Sequence, residues 1–172
     1  EDAYTKTLHD EVHTMTAKCV IGSRAPDFEL AGTVAATVRL SSQLENGPVL
    51  LLFYPLDWSP VCTSELCSLS ADFNSYAGLG VAVFAISVDS IFSHKAFAEH
   101  HNIGIPLLSD FNKTVAQDYG VLYPELMGLK GVAKRSAFLL DAEGIVRYVW
   151  VTEDPTQMPD FAEIKKQIEA LR

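Results

Sequence analysis

Strands alternating with helices, then a β-hairpin and a closing helix, predict an α/β protein with a mixed central sheet flanked by helices. Three observations carry this. Two continuous apolar runs, Val49–Tyr54 and Val81–Val88, read as strands buried on both faces. A helix-start pattern, Ser59-Pro60, follows the first run, with serine as a good N-cap and proline suited to the first helical position. Two further strand-like segments, Ser136–Leu140 and Ile145–Val151, flank Asp141-Ala-Glu-Gly144, a turn with glycine where a positive φ is wanted.

Taken in order, residues 1–18 are polar, lack Pro and Gly, and read as an N-terminal extension to a single domain over 19–172. His9 and His13 lie four apart, but a metal site needs three or four ligands and none follows nearby. Val34–Leu40 reads as a strand and Ser41–Leu44 as a short helical turn. After the Val49–Tyr54 strand, Pro55 breaks the run, and a helix is expected from Pro60 to about Tyr76, ending near Gly78 and Gly80. Its apolar stripe is Cys62, Leu66, Leu69, Phe73 and Tyr76, at spacings of four and three. Asp89 or Ser90 then caps a helix running to about His101, whose histidines His94, His100 and His101 read as solvated side chains on a polar face. Leu107–Ser109 is a short strand, Thr114–Tyr119 a short helix, and Gly120–Lys134 a glycine-punctuated loop. After the hairpin, Phe161, Ile164, Ile168 and Leu171 stripe an amphipathic closing helix. The chain shows no linker, internal repeat or low-complexity segment.

At 172 residues the chain can bury a substantial core without disulfide staples. A net charge of −9 and a pI near 4.9 argue against a nucleic-acid or anionic-membrane surface, which would want a basic patch. No apolar run approaches the ~20 residues needed to span a bilayer. The N-terminal stretch has no apolar signal-peptide core, although the sequence does not begin with methionine, so a leader cleaved earlier stays open. Three cysteines do not make a disulfide framework, and a reducing cytoplasm is the expected compartment.

Cys62 is the most informative of them. It falls about three residues into its helix, where free backbone N–H groups and the helix dipole favour an anion. Thiolate is the reactive form of cysteine, and a helix start is one of the settings that lowers a thiol pKa. The competing reading is a small buried hydrophobe at the head of an apolar stripe. The succession of strand, Pro55, Ser59, Pro60 and Cys62 favours a nucleophile.

Pro55-x-x-x-Ser59-x-x-Cys62 resembles the Pro-x-x-x-Thr/Ser-x-x-Cys motif of the peroxiredoxins. Ala25-Pro-Asp-Phe-Glu-Leu30 resembles that family's opening strand segment, and Arg135-Ser-Ala-Phe-Leu-Leu-Asp-Ala-Glu-Gly-Ile-Val146 the segment that supplies its arginine and a following hairpin. The resemblance covers most of the chain and implies a thioredoxin-like fold. It also implies a peroxidase in which Cys62 attacks a hydroperoxide, Ser59 and Arg135 orient it, and Pro55 shields the site.

The residue chemistry agrees with that reading. Thiol attack on a peroxide is a displacement on oxygen that needs hydrogen bonds to the O–O unit and a balance for the departing charge. Arg135 suits both tasks because its guanidinium is always charged and offers fixed donors; its alternative is a surface ion pair. Lys134 beside it is expected to point to water. Ser59 can accept from Val61 or Cys62 N–H as an N-cap while donating toward the sulfur. Serine lacks the threonine methyl group that fixes the rotamer. Glu65 either orients Arg135 or favours the helix dipole. Cys67 lies about 140° around the helix from Cys62 with ~7.5 Å of rise. A disulfide needs Cα atoms within roughly 7 Å, so closing one requires the helix to unwind.

The Cys-x-x-x-x-Cys spacing resembles the bacterioferritin-comigratory, or Q-type, peroxiredoxins, in which such a cysteine resolves the sulfenic acid. The Trp58-Ser-Pro-Val-Cys62 wording resembles one-cysteine relatives, in which Cys67 would be a spectator. Cys19 reads as a bystander. The implied partners are a hydroperoxide and thioredoxin or another thiol reductant. No cofactor, metal, nucleic acid or membrane is expected, and the chain is expected to be a monomer or homodimer. Two other readings compete. A disulfide oxidoreductase would want Cys-x-x-Cys on the helix. A non-catalytic redox sensor or chaperone would have no need of Ser59 and Arg135 beside Cys62.

Overall fold

The computed structural model describes residues 19–172; the expectations for residues 1–18, including the His9 and His13 pair, lie outside them. Within these, the elements are β1 (Glu29–Gly32), β2 (Thr37–Arg39), α1 (Leu40–Leu44), β3 (Val49–Phe53), α2 (Pro60–Ala71), α3 (Phe73–Gly78), β4 (Ala82–Ser87), α4 (Ile91–His101), β5 (Leu107–Ser109), α5 (Thr114–Asp118), β6 (Ser136–Leu140), β7 (Val146–Val151) and α6 (Phe161–Glu169).

The strands form one mixed seven-stranded sheet in the order β2-β1-β5-β4-β3-β6-β7. β3, β4 and β5 run parallel, while β6 is antiparallel to β3, β7 to β6, and β1 to both β5 and β2. β3 lies inside the sheet, and all five of its residues are buried, as its unbroken apolar run requires. Its side chains alternate between the faces. Val49, Leu51 and Phe53 pack with Phe28, Tyr119 and Phe138 on one side, and Leu50, Leu52 and Tyr54 pack with Leu66, Ile164 and Ile168 on the other. Cys62, carried by α2, belongs to the second face. No helix among the described residues is long and apolar enough to cross a membrane.

Four expectations change. The strand expected over Val34–Leu40 shortens to β2, since Leu40 already starts α1. The single helix expected from Pro60 to Tyr76 breaks at Asp72 (φ −102°, ψ 7°), whose carboxylate is gripped by Lys165 of α6. Lys134 does not simply face water: its side chain is only 18% exposed, pairs with Glu153 at 2.6 Å and lies over the Tyr123 ring. The largest correction is His94. It is fully buried, because α4 turns that side chain inward against Asp57. His100 is exposed and His101 half-buried, and both rings pack against Trp58.

The hairpin forms as its turn chemistry demands. Asp141 Oδ1 accepts from the N–H groups of Glu143 and Ile145, and Gly144 takes the positive φ of +81°. Its consequence for the site is register: Ser136 pairs with Phe53, so Arg135 arrives where β3 ends and the chain turns toward Cys62.

Candidate active site

Cys62 is the third residue of α2, and its side chain is completely buried. Pro60 occupies the first helical turn and Ser59 the N-cap position with extended backbone. The Ser59 hydroxyl does not cap the helix, contrary to expectation. Its proton goes to the Leu56 carbonyl at 3.2 Å, so it is directed neither to a helix N–H nor to the sulfur. Thr63 Oγ1 donates to the Ser59 carbonyl at 2.8 Å, which ties the same corner from within the helix.

Arg135 meets the sulfur across 73 residues of sequence. Its Nη2 donates to Cys62 Sγ at 3.1 Å and to the Pro155 carbonyl at 3.0 Å, and its Nε reaches the same carbonyl at 3.2 Å. Its Nη1 donates to Glu65 Oε2 in a buried ion pair. Arg135 is only 1% exposed, so the surface-pair alternative fails. Burial works against the guanidinium charge, yet Glu65 and Cys62 beside it hold its pKa above the ordinary arginine value. Burial pushes the Glu65 carboxyl up, against the pull of Arg135. Glu65 is not in the first helical turn, so of its two readings the structure supports the one beside Arg135.

Pro55 is buried, and with Ser59 and Arg135 it lines a cavity of about 250 Å³. Leu56, Val61, Leu126 and Met127 supply apolar walls. Met127, in the tight turn that joins Leu126 to Leu129, is 90% exposed at the mouth. Cys62 itself stands behind this lining. Cys67 follows in the same unbroken helix, half-buried, with a free thiol, and Cys19 is a buried member of the core on the opposite face of the sheet.

Two contributors carry no sequence signal of their own. The Pro155 carbonyl is a main-chain group in a loop, and Asp57 depends on partners from other elements. Asp57, Asp89 and His94 are the described residues grouped closely enough to hold a metal. Their ligand atoms are already engaged: His94 Nδ1 lies 2.7 Å from Asp57 Oδ2, and Asp89 Oδ2 accepts from Ser87 Oγ and from the Asp57 N–H.

Residues 21–149 match the AhpC/TSA family. The chain is 35% identical to peroxiredoxin-2 of Mus musculus over 144 residues, covering 78% of this chain and 71% of that protein. The chain belongs to the peroxiredoxin family. Its activity is that of a thiol-dependent peroxidase. A Coxiella burnetii protein provisionally named peroxiredoxin bcp is 35% identical over 133 residues, 76% of this chain and 87% of its own length. The crystal structure of the peroxidoxin BcpB from Mycobacterium tuberculosis superposes with a TM-score of 0.76 at 33% identity, covering 90% of this chain and 97% of that one. These similarities fit the bacterioferritin-comigratory, or Q-type, branch, and the fold is thioredoxin-like.

Proposed function

We propose that this peroxiredoxin reduces hydroperoxides through Cys62, with Arg135 as the group that aligns sulfur and peroxide. The observation that carries the reading is the 3.1 Å contact from Arg135 Nη2 to Cys62 Sγ, made by a guanidinium fastened on its other side to Glu65 and Pro155. The sulfur attacks the terminal oxygen of ROOH, the O–O bond breaks, and the alkoxide leaves as ROH after taking a proton. Cys62 is left as a sulfenic acid. Arg135 stabilises the charge that develops on the two oxygens. Ser59 accepts a hydrogen bond from the peroxide while its own O–H keeps donating to the Leu56 carbonyl. Pro55 shields the site, since it has no N–H to offer water. The apolar walls at Leu126 and Met127 favour organic hydroperoxides beside hydrogen peroxide.

Cys67 then resolves the intermediate: its thiolate attacks the Cys62 sulfur, the S–S bond forms as the S–O bond breaks, and the hydroxide leaves as water after taking a proton. Thioredoxin or another thiol reductant reduces that disulfide. The one-cysteine alternative, in which an external thiol does the resolving, draws support from the unbroken helix over Pro60–Ala71 that carries both cysteines. The chain acts as a monomer or homodimer.

Cys62→Ser tests the central assignment. The variant should fold and consume no peroxide, because a serine hydroxyl stays neutral; substantial turnover would refute it. Mass spectrometry after one equivalent of peroxide separates the two resolving routes. Loss of two hydrogens indicates the intramolecular disulfide, and gain of one oxygen the one-cysteine route.

A further inference from the structure

The turn between β3 and α2 is held by a buried polar cluster outside the peroxide site. Asp57, 6% exposed, accepts at Oδ1 from Tyr54 OH at 2.6 Å and at Oδ2 from Ser93 Oγ at 2.9 Å, with His94 Nδ1 at 2.7 Å from the same Oδ2. Its N–H donates to Asp89 Oδ2 at 2.8 Å. The other ring nitrogen of His94, Nε2, lies 2.9 Å from the Leu108 carbonyl. Both ring nitrogens of His94 are thus engaged, one by the Asp57 carboxylate and one by the Leu108 carbonyl.

The titratable groups around the ring are Asp57 from the turn, Asp89 from the end of β4 and Tyr54 from the end of β3, and α4 adds the neutral Ser93. Among the described residues, no lysine or arginine pairs with Asp57 or Asp89. The buried Asp57 carboxylate is therefore satisfied by the Tyr54 and Ser93 hydroxyls and by its contact with His94.

We propose that His94 is a positioning residue for Cys62: held at both ring nitrogens, it staples Asp57, and so the Pro55–Ser59 turn, to α4 and β5. The proposal rests on Cys62 being the reacting thiol. The backbone gives independent support. Trp58, next to Asp57, has φ +68°, an unfavourable value for a bulky side chain that persists only where its surroundings enforce it. Asp57 is anchored through both its side chain and its main chain, which supplies that enforcement immediately before Ser59 and Cys62.

The test is the rate of the thiol's own oxidation. His94→Gln should lower the second-order rate of Cys62 oxidation by peroxide about tenfold or more, because small displacements of a reacting group carry large rate penalties. An unchanged rate in folded His94→Gln overturns the proposal. Should that variant fail to fold, Asp57→Asn, which keeps the side chain's shape and removes the charge, carries the same expectation and the same refutation. Failure of the underlying reading looks different: Cys62 of the wild type would not oxidise at all.

Discussion

Arg135 directs its donors to three acceptors of different kinds: a sulfur, a carboxylate and a main-chain carbonyl. Because the fork is rigid, fixing two of its arms aims the third, and Glu65 and Pro155 do the fixing. Lysine keeps the charge but has no fork. Arg135→Lys should therefore slow Cys62 oxidation by roughly 10²-fold, as loss of a preorganised donor does elsewhere. Stopped-flow oxidation measured against pH checks this, and unchanged values would remove Arg135 from the chemistry. The legibility of these residues in the sequence differs for physical reasons. Cys62 can be read because its setting is local: a strand end, a proline, a cap position and a helix start within eight residues. Arg135 comes through resemblance alone, since its partner stands 73 residues away. His94 reads wrongly because a histidine on a short polar helix looks solvated until Asp57, 37 residues earlier, is brought against it.

At the scale of elements, α2 is the part whose behaviour decides the sub-type. It holds Cys62 and Cys67 in one continuous helix, and the helix ends at Asp72 rather than running on to Tyr76. Periodicity cannot show that break, because Leu69, Phe73 and Tyr76 keep helical spacing across it. If Cys67 resolves, the first turns must open, and opening should limit the disulfide step. Amides from about Cys62 to Leu69 should then exchange faster after peroxide treatment than in the reduced protein. Cys67→Ser should still undergo the first oxidation but accumulate sulfenic acid and pass more readily to sulfinic acid. Equal exchange in both states, with no disulfide, would place resolution with an external thiol. The short edge strand β2 is overextended in a reading from sequence because Val34–Leu40 has strand-like residues but pairs through only three of them.

For the whole molecule, the sheet order follows from two long apolar strands placed side by side and a hairpin added to one flank, which is why the architecture can be anticipated. The sheet also separates the cysteines, with Cys62 on α2 at one face and Cys19 at the other. Burial pushes the Cys19 thiol up to about 11 from an ordinary value of 9.0. Between those values the unfolded chain has released this proton and the folded chain retains it. The unfolded state binds fewer protons there, so stability falls as pH rises through the window. Urea midpoints of wild type should decline more steeply from about pH 9 to about pH 11 than those of Cys19→Val. Parallel slopes would show that Cys19 contributes nothing to alkaline unfolding.

The pairing of β6 with β3 has a consequence for the chain's biosynthesis. A nascent polypeptide that has emerged only as far as β5 already contains Cys62 and the start of its helix, but neither Arg135 nor the Pro155 carbonyl that steadies it. Until β6 docks, the sulfur lacks its contact with Arg135. On the proposed role of that arginine, the thiol gains its full reactivity toward oxidants only when the last strands complete the fold.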